Sequence, residues 1–182
     1  YERALNIAKG AALMTGTKYE TKLISGIYEI LVNRTGAEIM QENLETLGEI
    51  SYTDEEITYA NTILKEAGKP QLGINGKVTP IQETLPAQGG STDVGDVSQV
   101  VPTIRMSATV AADGGPWHSW AVVACTGMSI GHKGMIYAAK ALSMTMADLY
   151  KNPKLVEAVK EDYKKNKTSE PYKPRILPGP PS

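Results

Sequence analysis

Both histidines of the chain, His118 and His132, its single cysteine, Cys125, and both tryptophans, Trp117 and Trp120, lie in the stretch GGPWHSWAVVACTGMSIGHKGM, residues 114–135. An imidazole can act as a base or a metal ligand, and a thiolate as a nucleophile, so any chemistry this chain performs is sought here first. His118 follows a Gly-Gly-Pro turn just after an apolar run, where a sharply bent backbone would present the ring at a sheet edge, a common address for a ligand or a base. The competing reading packs it between Trp117 and Trp120. His132, in SIGHKG, falls at the start of a long helical pattern, where open amides and the helix dipole disfavour a charged ring, so a neutral structural role is expected. Cys125 sits inside AVVACTGM and reads as a small buried hydrophobe rather than an activated thiolate. A catalytic zinc takes about three protein ligands and an open position. One histidine therefore falls short of a site.

A second constellation is GGSTDVGDVS, residues 89–98, which combines glycines with Ser91, Thr92, Asp93 and Asp96. Amides and hydroxyls in such a loop can cradle an anionic ligand, and a buried aspartate there can orient a neighbouring histidine. A tight turn with Asp-capped amides is the plainer alternative. No Gly-Lys-Ser/Thr follows, which rejects a phosphate-binding P-loop. The acidic run Asp54, Glu55, Glu56 resembles a general-base pair at first sight, but is better explained as charge complementing a helix N-terminus.

The elements that would position these residues are an alternation of helices and strands. YERALNIAKGAALMTG reads as a helix stopped by Gly16, with small alanines suited to close packing on a sheet. Tyr19, Thr21 and Leu23 alternate with Lys18, Glu20 and Lys22 as in a half-exposed strand. Two capping boxes, TGAE (Thr35 to Glu38) and TDEE (Thr53 to Glu56), open helices that end near Gly48 and Gly68. From Lys69 to Ser98 the pattern fades into a long loop with a turn signal at Asn75-Gly76. Ile104 to Val110 reads as a buried strand. Met135, Ala138, Ala139, Leu142, Met146 and Leu149 outline a long helix, and Asn152 with Pro153 opens a last one. The tail EPYKPRILPGPPS is extended, strapped over the surface or frayed.

Composition bounds the function class. A formal charge of −1 with no Lys/Arg block lacks the electrostatic footprint of a nucleic-acid binder. No run of 18 apolar residues argues for a membrane span. One cysteine excludes an internal disulfide framework and fits a reducing cytoplasm. There is no internal repeat.

In order along the chain, GAALMTGT, NRTGAEIMQENLETLG, GGSTDVGDVSQVVPTIRM and PWHSWAVVACTGMSIGHKGMIYAAKAL together resemble the C-terminal half of the zinc-dependent aminoacylase and carboxypeptidase-like amidohydrolases, a metallopeptidase family. The resemblance implies an α/β fold, in which a mixed-sheet catalytic domain is interrupted in sequence by a lid or dimerisation domain. Residues 1–31 would be the last helix and strand of that lid, and residues 32–182 the C-terminal part of the catalytic domain. It further implies two divalent metal ions, zinc or manganese, that activate a water against the amide of an N-acyl amino acid, an aroyl-glutamate such as p-aminobenzoyl-glutamate above all. His118 matches the family's C-terminal metal ligand. The other ligands and the glutamate base would belong to the N-terminal half of the same protein, so that this chain offers at most one partial metal site and is inactive alone. Gly90, Ser91, Thr92 and Asp93 match a substrate-side loop. Arg34 is a candidate for a substrate carboxylate, or for a hinge at the domain crossover. A homo-oligomer formed through the lid, a cytoplasmic location, and no nucleic-acid or membrane partner complete the expectation. The alternatives are a non-catalytic binding or assembly module and a family peptidase or deacylase with another acyl group.

Overall fold

The computed structural model describes residues 1–82 and 90–176, and within them the chain forms seven helices: α1 (Glu2–Thr15), α2 (Arg34–Leu47), α3 (Asp54–Glu66), α4 (Val94–Val100), α5 (Trp120–Thr126), α6 (Ser129–Lys151) and α7 (Pro153–Asn166). The long helix α6 is the axis of the assembly, packing on α2, α5 and α7, while α3 packs on α5. Ala60, Ile63 and Leu64 of α3 meet Ala121 and Cys125 of α5, Ile130 of α6 and Ala112 in one buried cluster. Each of these side chains is apolar, so the hydrophobic effect alone accounts for the cluster.

Local chemistry sets most of the helix ends. Gly16 ends α1 in the left-handed conformation with φ 66°, Gly48 follows α2 with φ 73°, and Gly68 has φ 68° one residue past the Ala67 cap of α3. The Thr53–Glu56 capping box forms as expected. Asn152 caps α7 through its side chain with Pro153 at the first position. The other expected box does not form. Asn33 caps α2 instead, its Oδ1 accepting from the Gly36 amide at 2.8 Å while its Nδ2 donates to the Val159 carbonyl at 2.8 Å. The Thr35 amide donates to Asp162 Oδ2 at 2.9 Å. The side-chain carboxylate of α7 thus meets an orphan amide of α2 that the box would otherwise have served.

The expected α/β class is overturned: among the described residues there is no strand and no sheet. Neither 18–23 nor 104–110 joins a ladder. Nor is 104–110 buried as expected: Ile104, Met106 and Ala108 are half-buried and Arg105 and Ser107 exposed, so exposure alternates along 104–108. Ile104 packs on Gly36, where any side chain would collide with it, and a side chain on Gly134 of α6 would collide with the Thr109 carbonyl. Alternation therefore reports which side faces the helices. It does not supply a neighbouring strand, and strand pairing requires one to meet the backbone N–H and C=O groups. The Thr109 hydroxyl donates to the Asn75 carbonyl, an isolated bond rather than a ladder.

The alanines of α1 do not pack on a sheet either, because no residue of α1 is buried. The tail, in contrast, is strapped to the body over residues 172–175. No helix among the described residues is long and apolar enough to cross a membrane. Buried polar side chains are satisfied: Asn43 Nδ2 donates to Asp148 Oδ2 at 2.8 Å and to Thr145 Oγ1 at 3.2 Å, tying α2 to α6.

Candidate functional site

The turn that carries His118 is held at both ends. The Asp113 amide donates to the Gly73 carbonyl at 2.9 Å and the Gly115 amide to the Ala112 carbonyl at 3.2 Å, with Gly114 between them at φ 73°. On the far side Ser119 caps α5, its Oγ donating to the Pro116 carbonyl at 2.6 Å and accepting from the Ala121 amide at 3.3 Å. Between these anchors His118 alone among the described non-glycine residues takes a positive φ, 57°. A left-handed residue with a side chain costs roughly 1 kcal/mol or more, and such strain persists only where the surroundings enforce it. The imidazole is exposed, and Trp117 and Trp120 are 69% and 54% exposed. The reading in which His118 is buried between the two indoles therefore fails. The result is an exposed imidazole in a turn that also exposes two indoles.

Beside this turn lies a cavity of about 460 Å³, lined by Asn75, Lys77, Thr79, Ser107, Asp113 and Trp117 together with the small residues between 107 and 115. Its volume lies in the range of small-molecule sites. Neither His118 nor any of Gly90, Ser91, Thr92, Asp93 and Arg34 lines it. Gly90 (φ 132°), Ser91 and Asp93 are exposed, and Gly89 falls outside the described residues. Thr92 Oγ1 accepts from the Val94 amide at 3.3 Å, and Asp93 is the first cap of α4 without a side-chain capping bond. Asp96 orients no histidine: its two oxygens accept from the Tyr28 amide at 3.2 Å and from the Tyr172 hydroxyl at 2.9 Å. Arg34 opens α2, and its Nε donates to Glu38 Oε1 at 2.9 Å. Among the described residues no three of His, Cys, Asp and Glu come together as a metal set.

Cys125 is wholly buried on α5, as its apolar surroundings indicated. His132 is exposed on the first turns of α6, so no packed structural role is realised. It borders a second cavity of about 460 Å³ with Glu49, Ser51, Lys133, Tyr137 and Lys140. The Tyr137 hydroxyl donates to the Gly48 carbonyl at 2.8 Å, and burial raises its pKa.

Sequence reasoning missed the strongest electrostatic feature. Glu56, only 9% exposed, meets Lys133 Nζ at 2.6 Å, and the same ammonium donates to the Ser51 carbonyl at 2.9 Å. Burial alone would raise the Glu56 pKa, but hydrogen bonds from Lys133, Ser129 and the Thr53 amide outweigh it and hold the carboxyl at about 2. Tyr52, whose ring lies 5.4 Å from Lys133 Nζ, is pushed up to about 12 by its own burial and then by the Glu56 charge. The acidic run reads as dipole compensation for α3, and only the third of its members also carries this long-range pair. A lysine directly after His132 was the available signal, but nothing local pairs it with a residue 77 positions away.

A protein of Escherichia coli (strain K12) aligns with 94% of this chain at 31% identity over 197 residues. The chain is similar to a subunit of p-aminobenzoyl-glutamate hydrolase. It spans 41% of the length of that relative, about two fifths. The name of the relative makes it one subunit of a hydrolase acting on p-aminobenzoyl-glutamate. No family model matches the chain. No solved structure matches it. At the level of chemistry, the turn at 113–120 can offer one imidazole nitrogen to an electrophile or a metal and two indole faces to an aromatic group.

Proposed function

We propose that this chain contributes one side of the active site of a metal-dependent amidohydrolase that cleaves an N-acyl amino acid, an aroyl-glutamate such as p-aminobenzoyl-glutamate. The observation that carries the reading is the 31% identity that extends over 94% of the chain. The exposed imidazole of His118, on a residue held at positive φ, supports it from the structure, because histidine is the commonest metal ligand. As a donor set the described residues fit only in part. His118 provides one nitrogen, and no Cys, Asp or second His among the described residues groups with it as a metal set. The remaining ligands and the general base are assigned to the part of the relative that this chain does not span. The two metal ions, zinc or manganese, would supply Lewis-acid polarisation of the amide carbonyl and an activated water.

In this reading each residue of the chain has a bounded task. His118 holds one metal from one side. Trp117 and Trp120 give aromatic faces for an aroyl ring. Gly90, Ser91, Thr92, Asp93 and Arg34 are assigned to the amino-acid end of the substrate, Arg34 by a bidentate contact with its carboxylate. Residues 1–31 form the end of a lid through which copies associate, and the chain by itself is inactive. The test is substrate hydrolysis, read as aromatic amine acid released from p-aminobenzoyl-glutamate, by the natural gene product that carries these residues. His118→Ala is expected to lower that rate by two orders of magnitude or more, in keeping with loss of a directly coordinating ligand. A rate within threefold of the parent would overturn the assignment.

A further inference from the structure

Segment 26–31 crosses α4 with Gly26, Tyr28 and Ile30 half-buried and Ile27 and Glu29 exposed. Three bonds fasten it. The Tyr28 amide donates to Asp96 Oδ2 at 3.2 Å, the Leu31 amide to Ser98 Oγ at 2.8 Å, and Gln99 Nε2 to the Glu29 carbonyl at 3.0 Å. The Tyr28 carbonyl presses on Gly95, where any side chain would collide with it. Residues 172–175 close over the other side. The Tyr172 hydroxyl donates to Asp96 Oδ1 at 2.9 Å, and the Tyr28 hydroxyl donates to the Lys173 carbonyl at 2.9 Å. The two tyrosine rings lie 5.4 Å apart, and the Arg175 guanidinium sits 4.3 Å from the centre of the Tyr28 ring. Gly26 is needed beneath it, since a Cβ there would come within 2.8 Å of Arg175 Cβ.

One carboxylate therefore holds two chain segments, the crossover with one oxygen and the tail with the other. Ahead of the crossover, no residue of α1 is buried and residues 17–25 are exposed. Among the described residues, the hydrogen bonds that join residues 1–31 to the rest of the chain begin at Tyr28. Whatever holds 26–31 on α4 thus also sets where the N-terminal arm stands.

We propose that residues 172–175 are a latch, closed through Tyr172 and Arg175 onto Asp96 and Tyr28, that keeps the crossover seated on α4 and so fixes the arm to the helical body. The latch stands independently of the hydrolysis reading. Its contacts are few and partly exposed, so it opens locally while α6 stays folded, as low-stability units of a fold do. The experiment is amide hydrogen exchange on this chain, with the Tyr28 and Leu31 amides as reporters and the α6 amides as an internal control. In Tyr172→Phe the reporters are expected to exchange about tenfold faster, which corresponds to one lost hydrogen bond to a charged acceptor. Adding Arg175→Ala accelerates them further, and Arg175→Lys, which keeps a cation over the ring, recovers most of that second step. Reporter rates unchanged in the Tyr172→Phe/Arg175→Ala variant would overturn the latch. So would an equal acceleration of the α6 amides, which would make these contacts general stabilisers.

Discussion

Replacing Glu56 by glutamine isolates the charge of the Glu56–Lys133 pair, because a glutamine keeps the shape of the capping box and can still accept from the Thr53 amide. Glu56 falls from an ordinary value of 4.5 to about 2 in the folded chain. A shift of that size corresponds to a ceiling of roughly 3 kcal/mol of stability. Lys133 is 36% exposed, however, so water screens part of the attraction. The net loss is therefore about 1–2 kcal/mol. The sign follows from the direction of the shift. A carboxyl whose pKa is lower in the folded state than in the unfolded one stabilises the fold above its unfolded value and loses that contribution as pH falls through its folded value. The penalty of Glu56→Gln is thus full near neutral pH and shrinks between about pH 4.5 and 2. Urea denaturation of both proteins at a series of pH values measures it. A difference below about 0.3 kcal/mol near neutrality, or one that grows on acidification, would show that the Glu56–Lys133 pair does not stabilise the fold.

Three further outcomes follow from the packing. Asn33→Ala removes both the α2 cap and the bond to the Val159 carbonyl, and should lower stability by about 1–2 kcal/mol, measured by chemical denaturation. Gly134→Ala forces a methyl group against the Thr109 carbonyl and should cost about 1–3 kcal/mol, visible as a lower thermal midpoint. His118→Gly relieves a positive φ of 57° and should stabilise the fold by up to about 1 kcal/mol even as it removes the proposed ligand; a loss of stability instead would mean the imidazole packs productively.

Features set by neighbours within a few residues were legible in the sequence. Gly16, Gly48, the Thr53–Glu56 box and the Asn152-Pro153 start each act over one turn of helix. At α2 the sequence pointed to Thr35 as the cap, whereas the structure caps the helix with Asn33, its start tied to Val159 and Asp162 of α7 more than a hundred residues away. The strands failed for a related reason. Alternation in 104–108 is a local property, whereas a ladder is a pairing, and no described segment pairs with it. The short helices α4 and α5 were missed because seven residues carry too little periodicity, and in GGSTDVGDVS the glycines and hydroxyls read as loop. At the site, the turn that exposes His118 was legible from Gly-Gly-Pro. The engagement of Asp96 by Tyr28 and Tyr172 was not, since each lies about seventy residues away along the chain.

Metal ligation by His118 is tested most simply by elemental analysis of the natural gene product carrying these residues, with and without His118→Ala. The variant is expected to retain its fold and to bind less metal than the parent. Equal metal stoichiometry in the two proteins would contradict the assignment of His118 as a ligand.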